Sequence, residues 1–173
     1  MIELEQLTEH LSSIKPSDWN KLFGLMPEID ATQKFGEVMG GDKLPDDSIT
    51  MPYWSSAKIV DKFFYAVNDL DVVPVYNWTS WKEGKNLLDD NRTNYNNLTI
   101  ETLCKLLSIV IRADRFSDGY LVSMFTNGKM LKIIRAIKIN RDQYFLLQEQ
   151  HWSGRGRQEH APSDASQPNQ MRK

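Results

Sequence analysis

The chain has few of the residues that form disulfides or metal sites in small proteins. Cys104 is the only cysteine, so no disulfide can form within the chain, and a single thiol suits a reducing compartment. The histidines are His10, His151 and His160, and neither they nor Cys104 have the spacing of zinc ligands. We therefore expect no bound metal and no cofactor, and nucleophilic catalysis has few side chains to use.

Long hydrophobic runs are also missing. No stretch approaches the roughly 18 apolar residues that a membrane-spanning helix needs. The first ten residues contain three glutamates and no basic residue, which is unlike the start of a secretory signal. We therefore expect a cytoplasmic protein that does not associate with membranes.

What the sequence does contain is typical of one globular domain. The chain has 173 residues, of which 40% are hydrophobic and 25% charged, and a chain of this size can bury a core without disulfides or a structural metal. Apolar residues recur at helical spacing over 4–14, 59–70, 100–111 and 130–137, which predicts amphipathic helices. Residues 28–39 have a weaker helical pattern.

The remaining segments predict little β-structure. Pro74 lies inside the β-branched run 72–76, and proline cannot donate to a ladder, so this segment is at most an edge strand. Residues 40–52 predict a loop, and residues 78–88 predict another helix. We expect a mainly α, compact multi-helix single domain over residues 1–152, with at most one short extended segment near residues 72–76.

The helix predicted over 100–111 has a broad apolar face that we expect to lie in the core. Ile109 lies opposite this face, so we expect it to be exposed, and it would mark an oligomer contact in a structural subunit. The oligomeric state itself stays open. The residues expected to be largely buried are Phe63, Phe64, Val67, Leu103, Leu107, Val110, Phe116, Leu121 and Ile134.

Two segments resemble ligand-binding loops but lack residues that the chemistry needs. In the glycine-rich run before Leu44, Asp42 intrudes between the last glycine and Lys43, which a P-loop has directly after that glycine. Leu44 then takes the position of the magnesium-binding hydroxyl. Residues 90–101 have the length of a calcium loop, but Arg92 occupies a ligand position and Tyr95 replaces the required glycine. Neither segment predicts a site.

The densest group of charges lies between two predicted helices, where Arg112, Asp114, Arg115 and Asp118 fall within seven residues. The functional interpretation is an anion or phosphate site, because guanidinium groups and the amides of a helix start both bind anions. The structural interpretation is that the arginines bond at the helix end, Asp118 caps the next helix and Phe116 fills the core. We expect Arg115 to be buried in such contacts and Arg112 to be exposed.

Two tryptophans form a second candidate site. Trp78 and Trp81 are three residues apart in a predicted helix, so their indoles lie on nearly one face. Core packing is the ordinary role of such residues. The alternative is an aromatic-lined groove formed together with Tyr53 and Trp54.

Positive charge is concentrated at the C-terminal end. Residues 129–173 contain nine Lys or Arg and four Asp or Glu, a net charge of +5, whereas residues 1–50 carry −6. From residue 153 onward large apolar residues are nearly absent, so we expect 153–173 to be a disordered polar tail. A basic face with Lys129, Lys132 and Arg135, continued by the tail, fits an acidic protein or nucleic acid. The alternative is a solvated helix face with a solubilising tail.

The two candidate segments together resemble a bacterial family, the domain-of-unknown-function family numbered six thousand five hundred and eight. The resemblance rests on Trp78-Thr-Ser-Trp81-Lys-Glu-Gly84, on the run from Ile111 to Leu121, and on Gly128 with Ile133-Ile134. It covers about residues 17–139 and implies a bacterial or phage-borne cytoplasmic protein without an assigned activity. Asn77 stands where family members often have aspartate, and Tyr120 where they often have histidine, so neither position supplies a charge or a general base.

These observations favour a binding or interaction module for a protein or nucleic-acid partner. The candidate contact residues are Arg112, Arg115, Asp118, Trp78 and Trp81. The alternative is an enzyme with an Arg/Asp anion-binding site around Arg112, Arg115 and Asp118. Catalytic residues are not identified by the sequence.

Overall fold

The computed structural model of the chain describes residues 2–155, with side chains described for 2–143. The chain divides into two units, the first ending at residue 141 and the second beginning at residue 142.

In the second unit the described backbone is helical up to Arg155. Residues 153–155 are therefore helical, whereas the sequence predicts an irregular tail from residue 153. The rest of that tail, 156–173, lies outside the described residues and stays a prediction.

The described chain consists mostly of α-helices, which confirms the predicted fold class. Single 3₁₀ turns lie at Leu4–Gln6, Trp78–Ser80 and Tyr95–Asn97. The helices and strands are α1 (Leu7–Ser13), α2 (Pro16–Phe23), α3 (Met26–Ala31), β1 (Gly36–Met39), β2 (Tyr53–Ser56), α4 (Lys58–Asp69), α5 (Lys82–Asp89), α6 (Ile100–Ala113), α7 (Tyr120–Thr126) and α8 (Lys129–Arg155).

Helix α6 lies at the centre of the core. Thr99 caps its first turn by accepting a hydrogen bond from the amide of Thr102. Ser108 is fully buried and donates to the carbonyl oxygen of Pro74 at 3.0 Å, which fixes the segment 72–76 against the helix. Most of the residues predicted to be buried are buried, namely Phe63, Val67, Leu103, Leu107, Val110, Leu121 and Ile134, and Phe64 is half-buried.

The predicted exposure of Ile109 is wrong. Its side chain is 3% exposed, because α6 is covered on the side opposite its main apolar face as well. When a helix is buried on nearly all sides, its apolar pattern does not identify an exposed face. Ile109 therefore cannot mark an oligomer contact.

A β-hairpin replaces part of the helix predicted over 28–39. Helix α3 ends at Ala31, and β1 pairs with β2 in antiparallel register, with Val38 opposite Trp54 and Met39 opposite Tyr53. Both strands are largely exposed. The hairpin depends on pairing between segments far apart in the chain, which helical periodicity does not report.

The extended segment near 72–76 is present as a single parallel bridge between Val75 and Glu3. The amide of Val75 donates to the carbonyl oxygen of Ile2 at 2.8 Å. Within residues 2–155, no helix has the length and apolar character needed to cross a bilayer.

Candidate functional site

The turn that joins α6 to α7 is fixed by two residues. Gly119 has a left-handed backbone, with φ of +82°, and stands immediately before α7. The Asp114 carboxylate accepts a hydrogen bond from the amide of Leu121 at 2.8 Å. The capping role predicted for Asp118 therefore belongs to Asp114, because the left-handed residue folds the first turn of α7 back over the end of α6.

Asp118 instead binds the hairpin. Its carboxylate accepts a hydrogen bond from the backbone amide of Trp54, on β2, at 2.9 Å. The Trp54 ring covers Gly119 so closely that a Cβ at this glycine would lie 2.4 Å from the ring's Cδ1 atom. The hairpin and the turn are thus held together by one hydrogen bond to a charged group and one close ring contact.

Two further expectations for this turn are wrong. Phe116 does not fill the core: its side chain is 83% exposed, and its ring centroid lies 6.3 Å from that of Trp78. Arg115 is exposed instead of being buried among helix-end carbonyls. Both residues lie in the segment 114–119 that joins α6 to α7, and both side chains are exposed.

Arg112 and Trp81 belong to a neighbouring cluster. Arg112 is half-buried, whereas the sequence predicts it to be exposed, and it lies near Tyr76. The Tyr76 hydroxyl donates to the carbonyl oxygen of Lys105 at 2.8 Å. Burial raises the pKa of Tyr76, and the positive charge of Arg112 opposes that rise. The ammonium of Lys105 lies 4.0 Å from the centroid of a Trp81 ring, a cation–π contact.

The structure therefore separates the two predicted tryptophans. Trp78 lies in a 3₁₀ turn and Trp81 lies between that turn and α5, so they do not share a helix face as predicted. Trp78 faces Phe116, whereas Trp81 packs on Lys105 and Gly84.

A cleft of about 190 Å³ opens beside the hairpin and contains Asp118. Asp61 and Asp114 also line it, along with the aromatic residues Trp54 and Phe64. The Asp61 carboxylate accepts a hydrogen bond from the Ser56 hydroxyl at 2.6 Å.

No lysine or arginine is among the residues that line this cleft, so the candidate arginines Arg112 and Arg115 do not line it. Three carboxylates with aromatic walls favour a cationic group over an anion. Among the described residues, no three His, Cys, Asp or Glu side chains are placed to hold a metal ion.

The hairpin carries most of the exposed apolar side chains. Of the ten large hydrophobic residues exposed within residues 2–143, seven lie between 36 and 56 and an eighth is Phe116. We call these eight residues the hairpin surface. They are Val38, Met39, Leu44, Ile49, Met51, Tyr53, Trp54 and Phe116, with exposed fractions between 40% and 87%.

Sequence reasoning missed this surface, apart from Trp54 and Tyr53. The loop predicted over residues 40–52 is present, but a loop prediction does not indicate that its large apolar side chains are exposed on a hairpin. The signal was present in Met51-Pro-Tyr53-Trp54, an apolar run inside a segment otherwise rich in Gly, Pro and Asp. Large apolar residues in a segment too short to have a core of its own either dock on the domain or stay exposed.

Comparison with known proteins gives a family and no activity. A family of unknown function, DUF6508, matches residues 14–143. No curated protein matches the chain, and no solved structure matches it.

Proposed function

The chain belongs to the DUF6508 family of unknown function, and from that premise we propose that it is a protein-binding module that uses the hairpin surface. The observation that carries the proposal is the concentration of exposed apolar side chains on one hairpin and the adjoining turn. A concentration of exposed large apolar side chains in one part of a small domain is typical of interaction sites.

The composition of the surface supports a protein partner. Trp54, Tyr53 and Phe116 are aromatic, and the exposed Arg115 lies next to Phe116. Tryptophan, tyrosine and arginine are the residue types that contribute most of the binding energy at protein interfaces.

The charge of the adjoining cleft narrows the chemistry of the partner. Asp61, Asp114 and Asp118 would repel the phosphates of a nucleic acid that approached the hairpin surface. The same carboxylates attract a lysine or arginine side chain. The partner segment therefore carries apolar side chains beside a basic residue.

The surface is held in place before a partner binds. The hydrogen bond from the Trp54 amide to Asp118 and the contact of its ring with Gly119 fix β2 against the turn. A preformed surface loses less conformational entropy on binding, so a modest apolar area gives measurable affinity.

The test is selection of binding peptides from a random phage-displayed library, with the full chain as target. Enriched peptides should combine a lysine or arginine with aromatic or aliphatic residues. Phe116→Ala should weaken binding of the best synthetic peptide by about tenfold or more, since truncating an aromatic anchor commonly costs over 1 kcal/mol.

Phe116 makes a clean variant, because a side chain that is 83% exposed contributes little to the stability of the free protein. The matched control is Tyr65→Ala, since Tyr65 is an exposed aromatic residue on α4 outside the hairpin surface. Tyr65→Ala should bind the synthetic peptide with the same affinity as the unmodified chain. Failure to enrich any peptide, or equal affinity of Phe116→Ala and the unmodified chain, would contradict the proposal.

A further inference from the structure

A second concave surface lies between α8 and the 3₁₀ turn at Tyr95–Asn97. It encloses about 390 Å³ and brings together three cationic side chains, Arg92, Lys132 and Arg135. Thr93, Asn94 and Asn96 add polar groups, and no aspartate or glutamate is among the residues that line it. We call this surface the basic groove. Its charge is opposite to that of the cleft beside the hairpin.

Both walls of the groove are fixed by hydrogen bonds. Asn94 caps its 3₁₀ turn by accepting from the amide of Asn96 at 3.2 Å. At the start of α8, the Asn127 side chain accepts from the amide of Lys129 at 3.0 Å. The ammonium of Lys129 donates to the carbonyl oxygens of Leu88 and Asp89, where α5 ends.

Of the basic face predicted from the sequence, Lys129 is therefore engaged in holding α8 against α5. Lys132 and Arg135, on the following turns of α8, line the groove. Lys132 is exposed and forms no ion pair within residues 2–143. The helix thus presents one lysine and one arginine to any ligand in the groove.

The two arginines keep donors for a ligand. Arg92 approaches Asp90 through Nε at 3.4 Å, and Arg135 approaches Asp30 through one terminal nitrogen at 3.1 Å. All four side chains are about half exposed or more, and exposed ion pairs of this kind contribute little. Each guanidinium has five N–H donors, so one contact to a carboxylate leaves others available.

We propose that the basic groove binds a compact phosphate-bearing ligand. Planar guanidinium groups bind two phosphate oxygens at once, and lysine adds a mobile point charge. A volume of about 390 Å³ is within the range of small-ligand sites. Asp30 and Asp90, just outside the groove, would repel the neighbouring phosphates of a long nucleic acid.

This inference is independent of the proposed function, because it concerns different residues and a ligand of opposite charge. The inference also assigns the acidic partner predicted from the sequence to a specific surface, the basic groove. A single phosphate group, on a free small molecule or on a modified side chain, fits the three cations better than a continuous polyanion does.

The test is calorimetric titration of the full chain, in a phosphate-free buffer of low ionic strength. The probes are inorganic phosphate, adenosine monophosphate, adenosine, a phosphoserine peptide and an oligothymidylate. We expect inorganic phosphate and adenosine monophosphate to bind at millimolar concentration or below, and adenosine not to bind. The phosphoserine peptide distinguishes a modified side chain from a free small molecule as the source of the phosphate, by binding more tightly or less tightly than adenosine monophosphate.

Lys132→Gln and Arg92→Gln should each weaken phosphate binding by about tenfold, the value of one hydrogen bond between charged groups. The matched control is Lys138→Gln, since Lys138 is an exposed lysine on the same helix outside the groove. Its affinity should be unchanged. Circular dichroism checks that each variant is folded, and agreement between the two groove variants excludes a folding defect peculiar to one of them.

Three results would overturn the inference. The first is no heat of binding for any phosphate-bearing probe at millimolar concentration. The second is an equal loss of affinity in Lys138→Gln, which would indicate a diffuse field instead of a site. The third is an oligothymidylate that binds far more tightly than adenosine monophosphate and depends on Lys132, which would make the groove a nucleic-acid surface.

Discussion

Replacing Gly119 by alanine should uncouple the hairpin from the rest of the domain. Alanine in the left-handed conformation found at this position costs about 1–2 kcal/mol. The new Cβ would also lie 2.4 Å from the Trp54 ring, which must then move. Trp54 is 40% exposed, so full displacement returns about 120 Å² of a typical tryptophan's area to water, worth about 3 kcal/mol. We expect Gly119→Ala to lower the free energy of unfolding by about 2–5 kcal/mol.

Gly128 provides the matched control for this prediction. Its φ is +73°, and a Cβ built there meets no atom within 4 Å. Gly128→Ala should therefore cost only the backbone strain, about 1–2 kcal/mol. Urea unfolding followed by circular dichroism measures both values.

A double variant isolates the ring contact. In a Trp54→Ala background no ring opposes the new Cβ, so the cost of Gly119→Ala should fall to that of Gly128→Ala. The reasoning would be refuted if Gly119→Ala cost no more than Gly128→Ala. It would also be refuted if removal of Trp54 left the cost of Gly119→Ala unchanged.

Four further variants test the core, the cap and a partly buried hydroxyl. Leu107→Ala should cost about 2–5 kcal/mol in urea unfolding, because the side chain is fully buried, and a loss below about 0.5 kcal/mol would contradict its place in the core. Asp114→Ala should cost about 1 kcal/mol and Asp114→Asn clearly less, since only alanine removes the acceptor for the Leu121 amide. Tyr76→Phe should cost about 1 kcal/mol at neutral pH. Burial raises the pKa of Tyr76 in the folded state, so the contribution of Tyr76 to the free energy of unfolding is complete below about pH 10 and is lost as the pH rises further. Above that pH, the free energy of unfolding of Tyr76→Phe should therefore depend less on pH than that of the unmodified chain.

The sequence predicts elements whose signal is local. The apolar spacing over 100–111 predicts α6, and the proline within 72–76 correctly limits the β-structure of that segment, which forms one isolated bridge. The apolar pattern does not identify the neighbours of α6, so it predicts an exposed Ile109, whereas this side chain is buried. Burial on a second side depends on packing between distant segments.

The candidate site is harder to predict, because it depends on the path of one turn and on one long-range contact. Residue type alone places Phe116 in the core and Asp118 at a helix start. The left-handed Gly119 and the cap from Asp114 together turn Phe116 outward and leave Asp118 free to bind Trp54, 64 positions away in the chain. No spacing rule connects Asp118 with the hairpin.

The most direct test of the proposed binding surface is a nuclear magnetic resonance titration of the isotope-labelled full chain with the best peptide from the library selection. The account predicts that the largest shift changes occur at the indole N–H of Trp54 and at the backbone amides of 51–56 and 114–119. Shift changes centred on the basic groove around Arg92 and Lys132, or spread evenly over the domain, would contradict it.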